Sequence, residues 1–247
     1  VRRIVPGATA VAALAAVWQL AALAAASPQL PGPLAVLAAL GPALTSGRLA
    51  FHLGVSLLRL LAAAVLAFLP ALALGIAAGA SKRLDSWLTP PAYLLGPIPK
   101  TALLPAILLF LGLGDAPKVL LVALILYFPF YLGFRDEARA IDKSYYDALA
   151  TLGGGRRAAL VRIVLPCLLP RIWSGLRSGA GTGLAVLFLA ETFATRSGAG
   201  WWIMDAWTRL AYPAMYAGIL ALALVGLALA ALIDLGERLS CRWKGAD

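Results

Sequence analysis

Residues 60 to 80 read LLAAAVLAFLPALALGIAAGA, a run without a single charge. A helix rising about 1.5 Å per residue needs about 20 residues to cross roughly 30 Å of hydrocarbon. This run is long enough to do so, and it is not the only one. Five further stretches, at about 4–26, 93–112, 119–134, 172–190 and 210–233, carry the same apolar character. The third span, 93–112, is interrupted by Pro97, Pro99 and Pro105 and carries Lys100. With 62% hydrophobic residues in 247 and a mean hydropathy of +0.89, the chain lies outside the soluble range. It reads as an all-α integral membrane protein of about six transmembrane helices. Abundant alanine and glycine suit helices that pack backbone to backbone in lipid, so the spans are expected to form one bundle.

The net charge of +10, from 21 Lys and Arg against 11 Asp and Glu, does not point to nucleic acid, because the basic residues sit at the ends of apolar runs. If the loops alternate sides, one set of ends holds Arg2, Arg3, Lys82, Arg83, Arg135, Arg139, Lys143, Arg156, Arg157, Arg162, Arg171, Arg238, Arg242 and Lys244. The other holds Arg48, Lys118, Arg196 and Arg209. That asymmetry places both termini and the segment 135–171 in the cytoplasm. The start of the chain imitates a secretory signal, with Arg2-Arg3, an apolar run and AALAAASPQ. The run exceeds the usual signal core, and a retained first span is expected. Residues 27 to 50 then form an external connection with a short interfacial helix near 34–40.

The cytoplasmic stretch YYDALATLGGGRRAALVRIVLPCLLP, residues 145–170, carries the most specific pattern. Ser144 with Asp147 three residues on matches a capping box. Gly153, Gly154 and Gly155 supply left-handed backbone that ends a helix. A short helix over about 144–152 follows, with Arg156, Arg157 and Arg162 suited to anionic headgroups. Leu165-Pro166 and Pro170 are expected to break the chain before it enters the fifth span. The residues alone leave two readings open: a handle gripped by a soluble partner, or a loop helix lying on the membrane.

This stretch resembles the EAA loop of permease subunits of binding-protein-dependent ABC importers. Asp147, Ala148 and Leu149 stand at the Glu-Ala-Ala positions, Gly153 follows after three residues, and Ile163, Leu165 and Pro166 follow after nine more. Asp147 in place of Glu keeps the charge and shortens the reach; Leu149 in place of Ala adds bulk. GPIPKTALLPAILLFLGLGDAPKVLL (96–121), SGLRSGAGTGLAVLFLAETFATRSGAGWWI (174–203) and His52, Ser56 and Arg59 are similar to the nitrate, sulfonate and taurine branch. The resemblance implies a type I importer permease fold, with residues 1–49 as a first span and external connection and 50–243 as the permease core. It implies cytoplasmic ABC ATPase subunits that bind ATP and Mg, and a second permease copy, normally identical. A periplasmic or lipid-anchored binding protein and a bacterial inner-membrane location complete the implied system. Ser144, Asp147, Ala148, Leu149, Gly153, Ile163, Leu165 and Pro166 then become the ATPase-coupling residues, and the solute an anion of the nitrate, sulfonate or taurine type.

Neither GGGRR nor GAGTG follows a strand or precedes Gly-Lys-Ser/Thr, so neither is a nucleotide cradle. No catalytic motif, metal set or cofactor site organises the single histidine, His52, or the two cysteines, Cys167 and Cys241. The chain therefore reads as a transport subunit and not an enzyme, the contrasting alternative being an ion-coupled carrier without an ATPase. Ionisable residues within spans usually have a purpose. Lys100 and Arg177 are candidates for a positive pathway lining, against snorkelling or an internal salt bridge. Glu191 is a further candidate pathway residue, expected to serve in a structural or gating pairing with a basic residue and not in direct ligation of an anion. Trp201, Trp202, Trp207 and Tyr212 read as an external aromatic belt.

Overall fold

The computed structural model describes residues 4–193 and 195–245. Arg2 and Arg3, and the side chain of Lys244, all counted toward orientation, lie outside the described residues. The described chain is helical, as a backbone with no water to bond in hydrocarbon must be. In order come α1 (Ile4–Ala25), α2 (Pro33–Thr45), α3 (Arg48–Ala80), α4 (Lys82–Leu95), a 3-10 turn (Lys100–Leu103), α5 (Leu104–Leu111), α6 (Ala116–Ala140) and α7 (Lys143–Thr151). There follow α8 (Arg156–Ala159), a π turn (Leu160–Val164), α9 (Leu165–Thr192), α10 (Ala199–Thr208), α11 (Tyr212–Ser240) and a last 3-10 turn (Arg242–Gly245).

Among the described residues, Arg48–Ala80, Ala116–Ala140, Arg156–Thr192 and Tyr212–Ser240 are long and apolar enough to span a membrane. The expected third span, 93–112, takes in only the end of Lys82–Leu95 together with Lys100–Leu111, two helices bent by 82° across the break that holds Pro97 and Pro99. The expected first span falls on α1, and the expected interfacial helix on α2.

The chain divides into two compact units where one bundle was expected: residues 1–56 with 191–225, and residues 57–190 with 226–247. The first unit buries Val36, Leu40, Leu49, Trp202, Ile203, Ala206, Ala217 and Ala221. Within it, Trp18 donates its indole N–H to the Pro31 carbonyl at 3.1 Å, tying α1 to the connection before α2. The second unit has its core on α6, where Leu121, Val122, Leu126, Phe130, Tyr131 and Phe134 are buried. Gly75 and Gly79, spaced as in a GxxxG motif, let α3 lie close on α6. A Cβ on Gly75 would stand 2.9 Å from Phe134 Cβ, and one on Gly79 2.6 Å from Ala138 Cβ. Small residues at such a seam let dispersion replace the missing hydrophobic drive.

Two local expectations are corrected. The cap of α7 is Asp142, whose Oδ1 accepts from Ser144 N–H at 2.7 Å; Ser144 is the second helical residue, so the Ser144–Asp147 capping box does not form. Pro166 and Pro170 do not break the chain either, because Arg156–Thr192 runs as one 37-residue helix. The π turn at Leu160–Val164 ends two residues before Pro166 and contains Arg162, the residue four back from it. Its wider loop relaxes the collision a proline ring makes with the carbonyl four residues back.

Candidate functional site: the 143–151 helix, the cations of the spans and the α10 clasp

The helix α7 forms because Asp142 caps its start and glycines stop it. At its end Gly154 N–H donates to the Leu149 carbonyl at 2.9 Å and Gly153 N–H to that of Ala150 at 3.0 Å. This is a Schellman pair, with Gly153 at φ 73°. Gly154 is left-handed nowhere but is tightly covered, since a Cβ there would meet Leu149 Cγ at 2.5 Å. Of the triple glycine, then, only Gly153 supplies the left-handed residue.

One side of α7 is anchored. Tyr146 packs on the second unit's core, and burial pushes its phenol pKa up. The other side is open: Tyr145, Ala148 and Leu152, at positions i, i+3 and i+7, are exposed, Leu152 by 84%. Asp147 is exposed beside them, and Leu149 is half-buried against Gly154. Ile163 is buried within the π turn, and Leu165 and Pro166 are half-buried at the start of α9. The coupling candidates thus separate into an exposed helix and a seated exit, joined through α8 to one long continuous helix.

Lys100 lines a cavity of about 520 Å³ with Gly96, Ile98, Thr101, Ile125, Phe128, Pro129, Leu132 and Val186. Its ammonium is engaged with backbone. It donates to the carbonyls of Leu95 at 2.9 Å, Gly96 at 2.7 Å and Ile98 at 3.4 Å, and lies 4.6 Å from the Phe128 ring centroid. A cation there satisfies the orphan carbonyls where α4 ends and offsets the negative end of its dipole. Arg177 follows the salt-bridge reading. Its Nε donates to Asp234 at 2.7 Å and its Nη2 to Glu237 at 2.7 Å, binding α9 to α11. Lys100 and Arg177 share no partner.

Glu191, near the end of α9 and in the first unit, is 1% exposed, and its carboxylate meets the start of α10. Ser56 Oγ donates to its carboxylate at 2.7 and 2.9 Å, and Gly200 N–H donates to Oε2 at 3.0 Å. Ser56 Oγ also accepts from Ala199 N–H at 2.8 Å, and His52 Nδ1 accepts from Gly198 N–H at 3.2 Å. Three side chains thus satisfy three successive amides at a helix start, a place that favours negative charge. Gly198, at φ 113°, has no room for a Cβ beside the Glu191 carboxylate. Trp201 and Trp202 pack on this clasp, with rings 4.9 and 5.6 Å from His52; Trp202, expected in an external belt, is buried. Trp207 is 51% exposed and Tyr212 half-buried.

Sequence reasoning missed a second polar network. Asp85 on α4 accepts from Thr89 at 2.6 Å, Arg139 at 2.7 Å and Arg135 at 3.2 Å, while Arg135 also donates to the Tyr93 hydroxyl at 3.0 Å. The only sequence signal was the presence of charges at the ends of spans. Those charges were read as topology, whereas here they fasten α4 to α6.

Long apolar helices with an exposed, doubly capped helix between two of them define an all-α membrane protein. The model of the family described as binding-protein-dependent transport system inner membrane component matches residues 71–240, and the chain belongs to that family. It is 30% identical over 217 residues to the putative aliphatic sulfonates transport permease protein SsuC of Bacillus subtilis (strain 168), covering 88% of this chain and 79% of the relative. It is 33% identical over 187 residues to the taurine transport system permease protein TauC of Escherichia coli (strain K12), covering 76% of this chain and 66% of the relative. A further relative, the putative aliphatic sulfonates transport permease protein SsuC of Escherichia coli (strain K12), is 31% identical over 94% of this chain and 89% of its own length.

Proposed function

We propose that this permease subunit forms the translocation pathway for a small sulfonate-type anion and takes its power from a cytoplasmic ABC ATPase that grips α7. The observation that carries the reading is the geometry of α7. Its exposed stripe of Tyr145, Ala148 and Leu152, with Asp147 beside it, is held on a helix fixed at both ends. Such a short amphipathic helix suits a groove on a soluble partner. A push on it is delivered through α8 and the π turn to the 37-residue helix ending at Thr192, so two such subunits would rock between inward-open and outward-open states. ATP drives the cycle only by stabilising one arrangement over the other.

In this reading ATP and Mg are bound by the partner ATPase, the second permease is an identical copy, and a binding protein delivers solute from the outside. Both termini and α7 face the cytoplasm. Sulfonate and taurine are favoured over nitrate because the named relatives are transport proteins for aliphatic sulfonates and taurine. Purification of the tagged chain in mild detergent, with identification of co-purifying subunits and assay of ATP-driven taurine uptake in liposomes, tests the proposal. An ATPase lost on substituting Asp147 and Gly153 together supports it. A chain that purifies alone and moves solute without ATP overturns it in favour of an ion-coupled carrier.

A further inference from the structure

The exposed faces of the second unit's long helices differ in kind. On α3 the exposed side chains include Leu58, Leu61, Val65, Leu66 and Leu69, and on α11 Leu227, Leu232, Leu235 and Leu239. Both faces suit lipid. Between residues 165 and 188 the α9 helix exposes no large hydrophobic side chain; it shows Arg171, Ser174, Arg177, Ser178, Gly181, Thr182 and Ala185. A spanning helix with such a face turns it to water or to protein, because hydrocarbon would leave its polar groups unbonded.

Within this face one cation differs from the rest. Arg177 is paired with two carboxylates, whereas Arg171 makes no ion pair among the described residues. Its guanidinium lies across Gly133 of α6, where a Cβ would stand 2.5 Å from Nε and 2.6 Å from Nη2. Only glycine leaves it that seat. Next to it is a cavity of about 60 Å³ lined by Arg171, Ser174, Gly175 and Ser178 from α9 and by Pro129, Phe130 and Phe134 from α6. Ser178 spends its hydroxyl proton on the carbonyls of Ser174 and Gly175. The Ser174 hydroxyl, one turn from Arg171, has no partner among the described residues.

We propose that Arg171 and Ser174, seated against Gly133, form an oxyanion station on a water-filled face of α9, with sulfonate as the ligand class. The inference rests on reading the chain as the route of such an anion. A sulfonate spreads one charge over three oxygens; the planar guanidinium supplies two parallel N–H donors to two of them and the Ser174 hydroxyl a third. Phe130 and Phe134 leave an apolar wall for the carbon attached to sulfur. The cavity holds a small head group, and the chain of the solute remains in the open pathway.

The test uses the complete complex with its ATPase and binding protein, with Cys167→Ser and Cys241→Ser removing native thiols. Ser174→Cys is labelled with anionic 2-sulfonatoethyl methanethiosulfonate or its cationic trimethylammonium counterpart, each rate divided by that on a free thiol. We expect the anionic reagent to be favoured about tenfold, the size of one nearby unit charge in a partly aqueous site. The preference should persist in Arg171→Lys and vanish in Arg171→Gln, methanesulfonate should slow the labelling, and Leu66→Cys on the lipid face should react with neither reagent. Equal reaction with both reagents overturns the station. Ser174→Cys that is silent, or that cross-links between copies, overturns the water-filled face. Taurine uptake is measured in parallel. Uptake with no charge preference defeats the station alone, and a charge preference without any sulfonate uptake defeats the substrate reading alone.

Discussion

Ser56 Oγ stands 2.7 Å from Oε2 of Glu191, a residue 135 positions further along the chain, and 2.8 Å from the backbone nitrogen of Ala199. Both side chains are almost fully buried, at 2% and 1% exposure. One hydroxyl therefore serves a carboxylate and a helix start at the same time. Ser56→Ala leaves two buried polar groups short of a partner and should cost about 1–3 kcal/mol. Thermal unfolding in detergent should show a midpoint lower by several degrees. Ser86→Ala, at an exposed position on α4, should shift it little; equal midpoints for the two variants would remove the clasp's structural role.

Gly153 holds the left-handed turn that closes α7. A β-branched residue there costs about 1–2 kcal/mol in backbone strain and opens the Schellman pair. Gly153→Val should insert into the membrane normally yet uncouple ATP hydrolysis from uptake. Gly155→Ala is the matched control, since its φ is −92° and open space surrounds it. Both variants are read by the ratio of ATP hydrolysed to solute imported, and an unchanged ratio in Gly153→Val would count against the handle.

Lys100 closes the end of α4 beside an 82° bend. Lys100→Glu should set a carboxylate against carbonyl oxygens and lower the yield of folded protein in size-exclusion chromatography. Lys100→Arg should retain most of it. Lys100→Met should fold with a lower thermal midpoint and keep its preference for anions. A well-folded Lys100→Glu that rejects anions would support the pathway-lining role.

Asp142 caps α7, and its hydrogen bonds to Ser144 hold its carboxyl below the ordinary carboxylate value of 3.8. The sign follows from linkage: a depressed folded value means the cap's contribution is complete above the ordinary value and is lost as pH falls through the folded one. Amide exchange at Ser144 should therefore be protected at neutral pH and lose its protection only below about pH 4. Asp142→Asn, itself a good cap, should remove that pH dependence while keeping the helix; a persistent transition would assign it to another group.

The helices were legible in the sequence because their signals are local. An uncharged run at 60–80 spans in any packing, and Gly153 ends a helix wherever α7 lies. The spacing from Asp147 to Pro166 carried the family for the same reason. Local signals misled where a neighbour a few residues away altered the outcome. The Asp142 cap outcompeted the Ser144 box, and the π turn absorbed Pro166.

The sequence by itself determined the run of apolar helices, a short helix at about 144–152, found at Lys143–Thr151, and the permease family. The fate of the charges was settled only in three dimensions. Lys100 and Arg177 look alike in sequence, each a lone cation in a span, yet one caps backbone carbonyls and the other bridges carboxylates 57 and 60 positions away. Arg171 reads as one more topology signal until Gly133, on another helix, gives it a seat without a counter-ion. Periodicity and capping act within a turn or two of the chain, whereas the role of a charge within a span is decided by whichever group folding brings within about 3 Å of it.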